Sequence, residues 1–328
     1  MLTAHLPFSS RLSHANARQI GFLMIFGSLL FEGTYNALAK DVTHFLSPMS
    51  LVILSESLTA FFVIATIGII SLGRELLRAN GRELFTAMLI GVLNSALAPY
   101  LWFLGLQNTT AVNASILYGS NILFLLAFNY LFLNEKINRV QLQGASIVLA
   151  GVLLIATGGG VMSFSAHQGD VLIILANLVF SSGTILFKRH LSHFHPEAAL
   201  FLRNISGIVT AVFVSALISH PFVEEISGFP IEYVSSLLAF AFFSRFLNLS
   251  FFYGALERLP ATTCGLIMNA APLSGMFFAA MLLHEEVYAY HMVGAMLIIF
   301  GLMLEQVSRN TLIHAKESIL RFRAQQNP

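Results

Sequence analysis

Four charged side chains interrupt apolar stretches of this sequence: Glu32, Glu56, Arg203 and Arg245. At the centre of a membrane-spanning helix such a charge costs about 2.5–3.5 kcal/mol, so its presence indicates a function by default. Both acids lie in the first half of the chain and both bases in the second. Counted from the ends of their apolar stretches, Glu32 and Arg245 lie near the middle. These two residues are therefore the first candidates for a site inside a membrane.

The chemistry of these side chains suggests three roles. Arg245 could offer a permanent positive charge to a carboxylate or phosphate group of a substrate. Glu32 could take up and release a proton, because burial favours the neutral form of a carboxyl group, or it could bind an ammonium group. The alternative is a structural ion pair that holds the two halves of the chain in one arrangement. A pair that substrate breaks would serve both purposes.

Amide side chains and prolines occur at similar depth. The asparagines are Asn94, Asn121, Asn248 and Asn269. Their amides either bind a substrate or hold neighbouring helices together. Pro99 and Pro272 each remove one backbone donor, which leaves the carbonyl groups of Ser95 and Met268 without their helical partners. Both prolines therefore predict helix breaks, which either contact substrate or only bend the helix.

The composition identifies the solvent of this chain as a lipid bilayer. Of the 328 residues, 56% are apolar and 10% are charged, whereas soluble domains average about 25% charged residues. A soluble protein of this length could not bury so much apolar surface. The single cysteine, Cys264, excludes an internal disulfide and a cysteine-based metal cluster. No basic stretch interleaved with aromatic residues indicates nucleic acid, and neither a cofactor nor a metal is expected.

Ten apolar stretches of about 20 residues predict ten transmembrane helices. Short polar breaks that contain Pro, Gly or Asn separate most of them. The predicted spans are 20–39, 49–72, 84–106, 111–133, 140–157, 171–187, 197–219, 233–256, 261–283 and 290–307. The sequence therefore predicts an all-α membrane protein.

The distribution of lysine and arginine predicts the orientation of these helices. With the N-terminus in the cytoplasm, Lys40 is the one basic residue of 17 that falls in an outer loop, and Arg203 and Arg245 lie inside spans. The other basic residues fall in cytoplasmic segments, as the positive-inside rule expects. We therefore predict that both termini are cytoplasmic. This orientation places Glu56 toward the outside and Arg203 toward the inside of the membrane.

The chain contains an internal repeat. Residues 105–154 align without a gap with residues 255–304, which indicates two copies of one structural unit. Since each copy holds five predicted helices, an odd number, the second copy enters the membrane from the opposite side. Two inverted five-helix repeats are typical of carriers that open alternately to the two sides of a membrane. The predicted units are an N-terminal tail at 1–18, repeats at 19–158 and 168–307, and a basic amphipathic tail at 308–328.

These features resemble the EamA-domain carriers of the drug/metabolite transporter superfamily. The most specific similarity is a glutamate that ends one span, followed by two glycines in the next. It stands at Glu135, Gly144 and Gly151, and again at Glu285, Gly294 and Gly301. Family members often carry a proline in the fourth helix of each half and an arginine early in the second. Pro272 and Arg203 fit this pattern, whereas Ile122 and Ser55 depart from it, so the first half has diverged.

The resemblance implies a substrate carrier but not its substrate, since the superfamily moves amino acids, amines, sugars, nucleotide precursors and drugs. We predict a secondary active transporter of the inner membrane that exports a small metabolite, amino acid or drug-like compound by proton-coupled alternating access. Its partners would be the substrate, the bilayer and a second copy of the chain in a homodimer. Alternatives are an uptake permease of the same fold and an intramembrane enzyme or sensor. No P-loop, HExxH or GxSxG motif is present, so the chain is not expected to be an enzyme.

Overall fold

The computed structural model describes residues 14–68, 80–133, 137–159, 168–190 and 196–306. Every regular element within these ranges is helical. Nine of the described helices are long and apolar enough to cross a membrane, and a shorter apolar helix covers Phe201–Leu217. The predicted tail at 308–328, most of the tail at 1–18, and Glu135 lie outside the described residues.

The long helices are numbered in chain order. They are α1 (His14–Thr43), α2 (Pro48–Ile67), α3 (Gly81–Gln107), α4 (Ala111–Leu133), α5 (Arg139–Ala156), α6 (Gln168–His190), α7 (Pro196–Leu217), α8 (Ile231–Leu256), α9 (Ala261–Met268 with Ala271–Leu283) and α10 (Ala289–Gln306). A short helix, Phe222–Ser227, lies between α7 and α8. The predicted second span ran to residue 72, but α2 ends at Ile67 because Gly68 has a φ of +81°. Glycine adopts this left-handed conformation without strain and so stops the helix.

Polar side chains begin several helices. Ser47 precedes α2 and accepts a hydrogen bond from the backbone N–H of Ser50. Asn80 and Glu83 form a reciprocal capping box at the start of α3, in which each side chain accepts from the other residue's backbone N–H. Asn138 begins α5 with a second capping box. Caps of this kind stabilise a helix by about 1 kcal/mol each and define where each helix begins.

Helices from the two halves of the chain interleave. Helix α1 packs against α8 and α9, and α6 packs against α3 and α4. Helix α2 packs against α7 and α8, and α4 packs against α9. The core is therefore shared between the halves, and its largest fully buried side chains include Phe103 and Phe240.

Large apolar side chains cover the outer faces of these helices. Leu23, Phe61 and Phe85 are 73%, 62% and 69% exposed. Monomeric soluble proteins rarely expose contiguous apolar surface on this scale. A bilayer solvates such side chains, so the structure is that of an all-α, multi-pass membrane protein.

Helices α5 and α10 contact each other through their backbones. A Cβ carbon added at Gly144 would lie 2.7 Å from the carbonyl oxygen of Gly301, and one added at Gly301 would lie 2.5 Å from that of Gly144. A Cβ added at Gly151 would lie 2.8 Å from the carbonyl oxygen of Gly294. Only glycine permits this approach, which brings the two helices into close contact.

A polar cluster connects the short helix to the start of α2. Oε2 of Glu225 accepts the backbone N–H of Ser47 at 3.0 Å, and Oε1 lies 3.5 Å from Nε2 of His220. Partial burial raises the pKa of this carboxyl group. The hydrogen bonds from Ser47 and the nearby His220 outweigh that effect, so the pKa lies below its ordinary value of 4.5.

The stabilisation that Glu225 provides should be lost in acid. Because its pKa is lower in the folded than in the unfolded chain, the interaction stabilises the fold above the unfolded-state pKa and disappears as pH falls through the folded-state value. We expect Glu225→Gln to lower the melting temperature in detergent at neutral pH and to match the wild type below the folded-state pKa. Glu224→Gln, on the exposed side of the same helix, is the control. A deficit in Glu225→Gln that persists in acid would contradict this assignment.

Candidate functional site

Arg245 forms its ion pair with Glu56. Nη2 of Arg245 donates to Oε1 of Glu56, and Nε donates to Oγ1 of Thr59 at 3.1 Å. Glu56 and Thr59 lie three residues apart on one face of α2, so a single guanidinium reaches both. The Glu56 side chain is fully buried and that of Arg245 is 10% exposed. The structural ion pair considered from the sequence is therefore present between the halves, with Glu56 as its acid.

Glu32 forms a different contact, on the interface between α1 and α8. Its Oε2 accepts a hydrogen bond from Nδ2 of Asn248. Oδ1 of the same amide accepts from Oγ of Ser28, at 2.7 Å and one turn earlier in α1. Asn248 thus orients the carboxyl group of Glu32 through its amide. No basic side chain of the described ranges forms an ion pair with Glu32.

Arg203 lies deep in the protein on α7, which packs against α3. A Cβ added at Gly91 would lie 2.6 Å from the carbonyl oxygen of Arg203, and one added at Gly207 would lie 2.5 Å from Cβ of Ser95. Nε of Arg203 is buried, and no hydrogen-bond partner for it exists among the described residues. A buried guanidinium donor without a partner is costly and therefore requires an explanation.

Tyr35 of α1 lies close enough to these groups to interact with them electrostatically. Electrostatic interactions connect its hydroxyl with Arg245, Glu56, Glu32 and Arg203. All four membrane-embedded charges therefore lie within electrostatic range of one phenol. Sequence reasoning missed Tyr35, although its position three residues after Glu32 places both side chains on one face of α1.

An aromatic layer borders the Tyr35 ring. Phe240 packs edge-on at 4.9 Å between ring centroids, and Trp102 does so at 6.5 Å. Trp102 also lies 6.0 Å from Tyr118 and donates its indole N–H to Oδ1 of Asn36 at 2.9 Å. Phe240 is buried and the indole N–H of Trp102 is hydrogen-bonded, so both side chains serve packing. Tyr35 and Tyr118 are partly exposed.

Two of the long helices contain a π-helical turn. In α3 this turn covers Val92–Leu97, and in α8 it covers Phe240–Leu247, which includes Arg245. Such turns are rare and occur frequently at functional sites. In α3 the turn ends next to Pro99, but α8 forms its turn without a proline. The helix break predicted at Pro99 therefore coincides with the turn of α3, whereas the sequence pattern did not predict the turn of α8.

Asn94 lies in the π turn of α3. It is buried, and its Oδ1 has no hydrogen-bond partner among the described residues. A Cβ added at Gly183 of α6 would lie 2.2 Å from this oxygen, so the amide occupies the space that the glycine leaves. The amide oxygen of Asn94 therefore faces α6 and is a buried acceptor without a donor in the described part of the chain.

Helices α4 and α9 are both interrupted near their middle. Helix α9 is interrupted between Met268 and Ala271, directly before Pro272. Helix α4 contains a single 3₁₀ turn at Tyr118–Ser120, although Ile122 stands where α9 has its proline. Gly119 packs there against Ile298 of α10, which leaves no room for a side chain. The break in the first half thus occurs where a glycine contacts another helix.

Asn121 and Asn269 follow these two interruptions and bind other helices. Oδ1 of Asn121 accepts a hydrogen bond from Oγ of Ser181 on α6. Nδ2 of Asn269 donates to Oε1 of Gln306 on α10 at 2.8 Å. Both amides hold helices together in this structure, and neither bonds to the four charged residues.

A second polar cluster lies where α1, α4, α6 and α10 meet near the ends of the helices. Glu285 accepts the backbone N–H groups of Ala111 and Val112 at the start of α4, at 2.9 and 2.8 Å, and lies 3.3 Å from Nζ of Lys40. Asp170, which is fully buried, accepts from Oγ1 of Thr109. The carboxylate at the start of α4 complements the partial positive charge there. Glu285 therefore binds α1 and α4 together.

Metal ligation finds no support in the parts of the chain that the structure describes. No group of three or more His, Cys, Asp or Glu side chains in those ranges could hold a metal ion.

Several known proteins are similar to this chain over most of its length. The uncharacterized transporter YyaM of Bacillus subtilis (strain 168) is 24% identical over 86% of this chain and 92% of its own. The S-adenosylmethionine/S-adenosylhomocysteine transporter of Chlamydia muridarum is 25% identical over 81% and 84%. A probable amino-acid metabolite efflux pump of Salmonella typhimurium is 24% identical over 58% and 66%. One crystal structure shares the fold, with a TM-score of 0.58, 17% identity, and coverage of 92% of this chain and 99% of the other.

The sequence model of the EamA-like transporter family matches this chain twice. The matched residues are 19–157 and 167–305. These matches agree with the charged side chains that lie inside apolar helices. They also agree with the relatives that are described as transporters. Because the two matches together cover most of the chain, this membrane protein belongs to the EamA-like transporter family.

Proposed function

We propose that this protein is a secondary active transporter that exports a small metabolite in exchange for protons by alternating access. The observation that carries the proposal is Glu32, a carboxyl group deep within the membrane-embedded helices that an amide orients and that no described basic side chain neutralises. Such a group can alternate between a protonated and a charged state as its surroundings change. Glu32 would therefore carry the proton.

The proposed motion rests on two inverted five-helix repeats, residues 19–158 and 168–307. The π turns of α3 and α8 occupy corresponding positions, as do the interruptions of α4 and α9. Contacts correspond in the same way, since α1 packs on α8 and α9 while α6 packs on α3 and α4. These correspondences support a two-fold axis in the membrane plane, about which one half rocks against the other.

Ten transmembrane helices and two cytoplasmic termini complete this proposal. The orientation rests on the positive-inside distribution, and it places Lys40 and Glu285 at the outer surface. Their ion pair, together with the contact of Glu285 to the start of α4, would then close the outer end of the transport path. An inner-membrane location and a homodimer belong to the same proposal.

The substrate assignment is limited to small polar or amphipathic metabolites. Two relatives are named for amino-acid-type compounds, and one of these names specifies efflux. We assign six further side chains and two helix breaks to the path beside Glu32. The side chains are those of Glu56, Asn94, Asn121, Arg203, Arg245 and Asn269, and the helix breaks are those at Pro99 and Pro272. Within this set Glu56 and Arg245 would set the shape of the site, because they neutralise each other.

Transport by purified protein in liposomes tests the proposal. We expect a pH gradient to drive the movement of at least one compound in a panel of labelled amino acids and amines, opposite to the proton flow. Glu32→Gln should abolish this accumulation, because a neutral amide cannot exchange a proton. Glu257→Gln, which alters an exposed glutamate between α8 and α9, is the matched control and should transport normally.

Two outcomes would contradict the proposal. Movement of substrate in the same direction as the protons would identify an uptake permease. Unchanged gradient-driven transport by Glu32→Gln would show that another group carries the proton.

A further inference from the structure

Polar side chains occur at every fourth residue along α1. They are Ser28, Glu32, Asn36 and Lys40. Four residues turn an α-helix about 40° beyond a full turn, so each of these side chains points farther around α1 than the one before. The first two therefore reach Asn248 of α8, whereas Lys40 reaches Glu285, which accepts from the start of α4. Asn36 lies between the candidate site and this outer ion pair.

The amide of Asn36 connects three helices in a fixed direction. The indole N–H of Trp102 on α3 can only donate, so at 2.9 Å it must face the amide oxygen. The amide nitrogen therefore points to Ser115 of α4 and donates to its hydroxyl oxygen at 2.9 Å. That hydroxyl donates in turn to the backbone carbonyl of Ala111 at 2.7 Å. A flipped amide would place its NH₂ group against the indole N–H and would lose both of its bonds.

This series of hydrogen bonds ends at the outer gate, the name we use for the ion pair of Lys40 with Glu285. The backbone N–H of Ala111 donates to Oε1 of Glu285 at 2.9 Å, and the same oxygen lies 3.3 Å from Nζ of Lys40. Helix α1 thus binds the first turns of α4 at two levels, directly through Asn36 and Ser115 and indirectly through the outer gate. The inner level lies nearer to the candidate site.

We infer that Asn36 is a positioning residue of the outer gate, because its amide holds α4 against α1 and so keeps Glu285 within reach of Lys40. This inference rests on the proposed alternating-access function and adds an inner level to its gate. Asn36 is 7% exposed and Ser115 is 3% exposed, so water does not compete for their hydrogen bond in this closed arrangement. A hydrogen bond is electrostatically stronger in such surroundings than in water.

Trp102 connects this gate to the candidate site. Its ring lies 6.0 Å from that of Tyr118 and 6.5 Å from that of Tyr35, and both phenol rings are partly exposed. A ligand that enters beside these rings and displaces the indole would remove the group that orients the Asn36 amide. The bond from α1 to α4 would then weaken, and the outer gate would open. The geometry therefore links occupation of the site to the gate.

Chemical labelling of one introduced thiol measures which end of the transport path is open. Tyr118→Cys places the thiol beside the aromatic layer, and Cys264→Ala removes the single native cysteine. A charged maleimide that cannot the membrane cross is added to intact cells, where it reaches the outer end, or to inside-out vesicles, where it reaches the inner end. The assay requires neither a substrate nor a proton gradient, so its result is independent of the transport assay.

Ser115→Ala tests the inner level in this background, because it removes the acceptor of the Asn36 amide and leaves the bond from Trp102 in place. We expect labelling in intact cells to become about threefold to tenfold faster, the range expected for the loss of one hydrogen bond. Labelling in inside-out vesicles should become slower, since opening of one end closes the other. Lys40→Gln should change both rates in the same directions, and Trp102→Phe should do so to a smaller extent.

Ser206→Ala is the matched control. It removes another buried hydroxyl, which donates from α7 to the carbonyl oxygen of Met88 on α3 at 2.7 Å, and it should leave both rates unchanged. Unchanged rates in Ser115→Ala would overturn the inference. So would faster labelling in both preparations, which indicates a loosened fold, or an effect of Ser206→Ala as large as that of Ser115→Ala.

The transport assay distinguishes this inference from the proposed function. Opposite changes of labelling in the two preparations, without gradient-driven transport of any compound, would retain the role of Asn36 and overturn the transport function. Gradient-driven transport by a protein whose labelling does not depend on Ser115 would retain the function and overturn the role of Asn36.

Discussion

Replacement of Glu56 by glutamine is expected to lower the free energy of unfolding by about 3–5 kcal/mol. The substitution leaves Arg245 buried without its ion pair and removes a carboxylate that also acts on Arg203. Removal of one partner from a buried pair costs more than the pair itself contributes, because the remaining charge stays desolvated. Arg245→Met should destabilise the protein for the same reason. Thermal or denaturant unfolding in detergent, with helicity as the signal, measures both variants.

A double-mutant cycle separates the ion pair from the packing of its members. The combination of Glu56→Gln with Arg245→Met should cost clearly less than the sum of the two single substitutions. Thr59→Val, which removes only the hydrogen bond to Nε of Arg245, should cost about 1 kcal/mol. If the two single substitutions add without coupling, the contact between α2 and α8 contributes no pair energy and our account of the site is wrong.

The second large effect is expected where α5 crosses α10. Gly144→Ala and Gly301→Ala should each destabilise the protein by about 1–3 kcal/mol, and Gly301→Val by more. The new Cβ carbons would lie 2.7 and 2.5 Å from a backbone carbonyl oxygen, which cannot rotate away as a flexible side chain can. The helices would have to separate, and contacts along the whole crossing would be lost. Thermal unfolding in detergent measures this loss.

Gly81→Ala is the matched control for these variants. Gly81 begins α3, and no atom lies within 4 Å of a Cβ added there. Because alanine favours a helix over glycine, this control should be neutral or slightly stabilising. A Gly144→Ala protein as stable as the Gly81→Ala protein would show that α5 and α10 are farther apart than described.

Much of the architecture could be predicted from the sequence. Apolar stretches of membrane-spanning length predicted helices that the structure places within a few residues, apart from the start of α1 at His14 and the end of α2 at Gly68. The glycines of the repeated signature stand out in the sequence, and in the structure they form the contact between α5 and α10. These predictions succeed because helix length, hydropathy and small-residue spacing are local properties of the chain.

The arrangement of the candidate site could not be predicted in the same way. Sequence depth placed Glu32 and Arg245 at one level, yet Arg245 pairs with Glu56. Depth is a single coordinate, whereas pairing depends on the direction in which each side chain points around its helix. The π turn of α8 contains Arg245, and one extra residue in a turn rotates all that follows by about 100°. No periodicity in the sequence reveals such a turn.

The sequence by itself determined that this protein is a helical membrane protein of the EamA-like transporter family, because composition, span length and the repeated signature all follow from residue order. It also identified the four charges that the membrane makes costly. Only the tertiary structure decided which of them neutralise each other. Glu56 satisfies Arg245, an amide holds Glu32, and Nε of Arg203 stays without a partner among the described residues. The physical reason is that the range of an ion pair is a few ångströms, and helix rotation and crossing bring residues almost 200 positions apart within it.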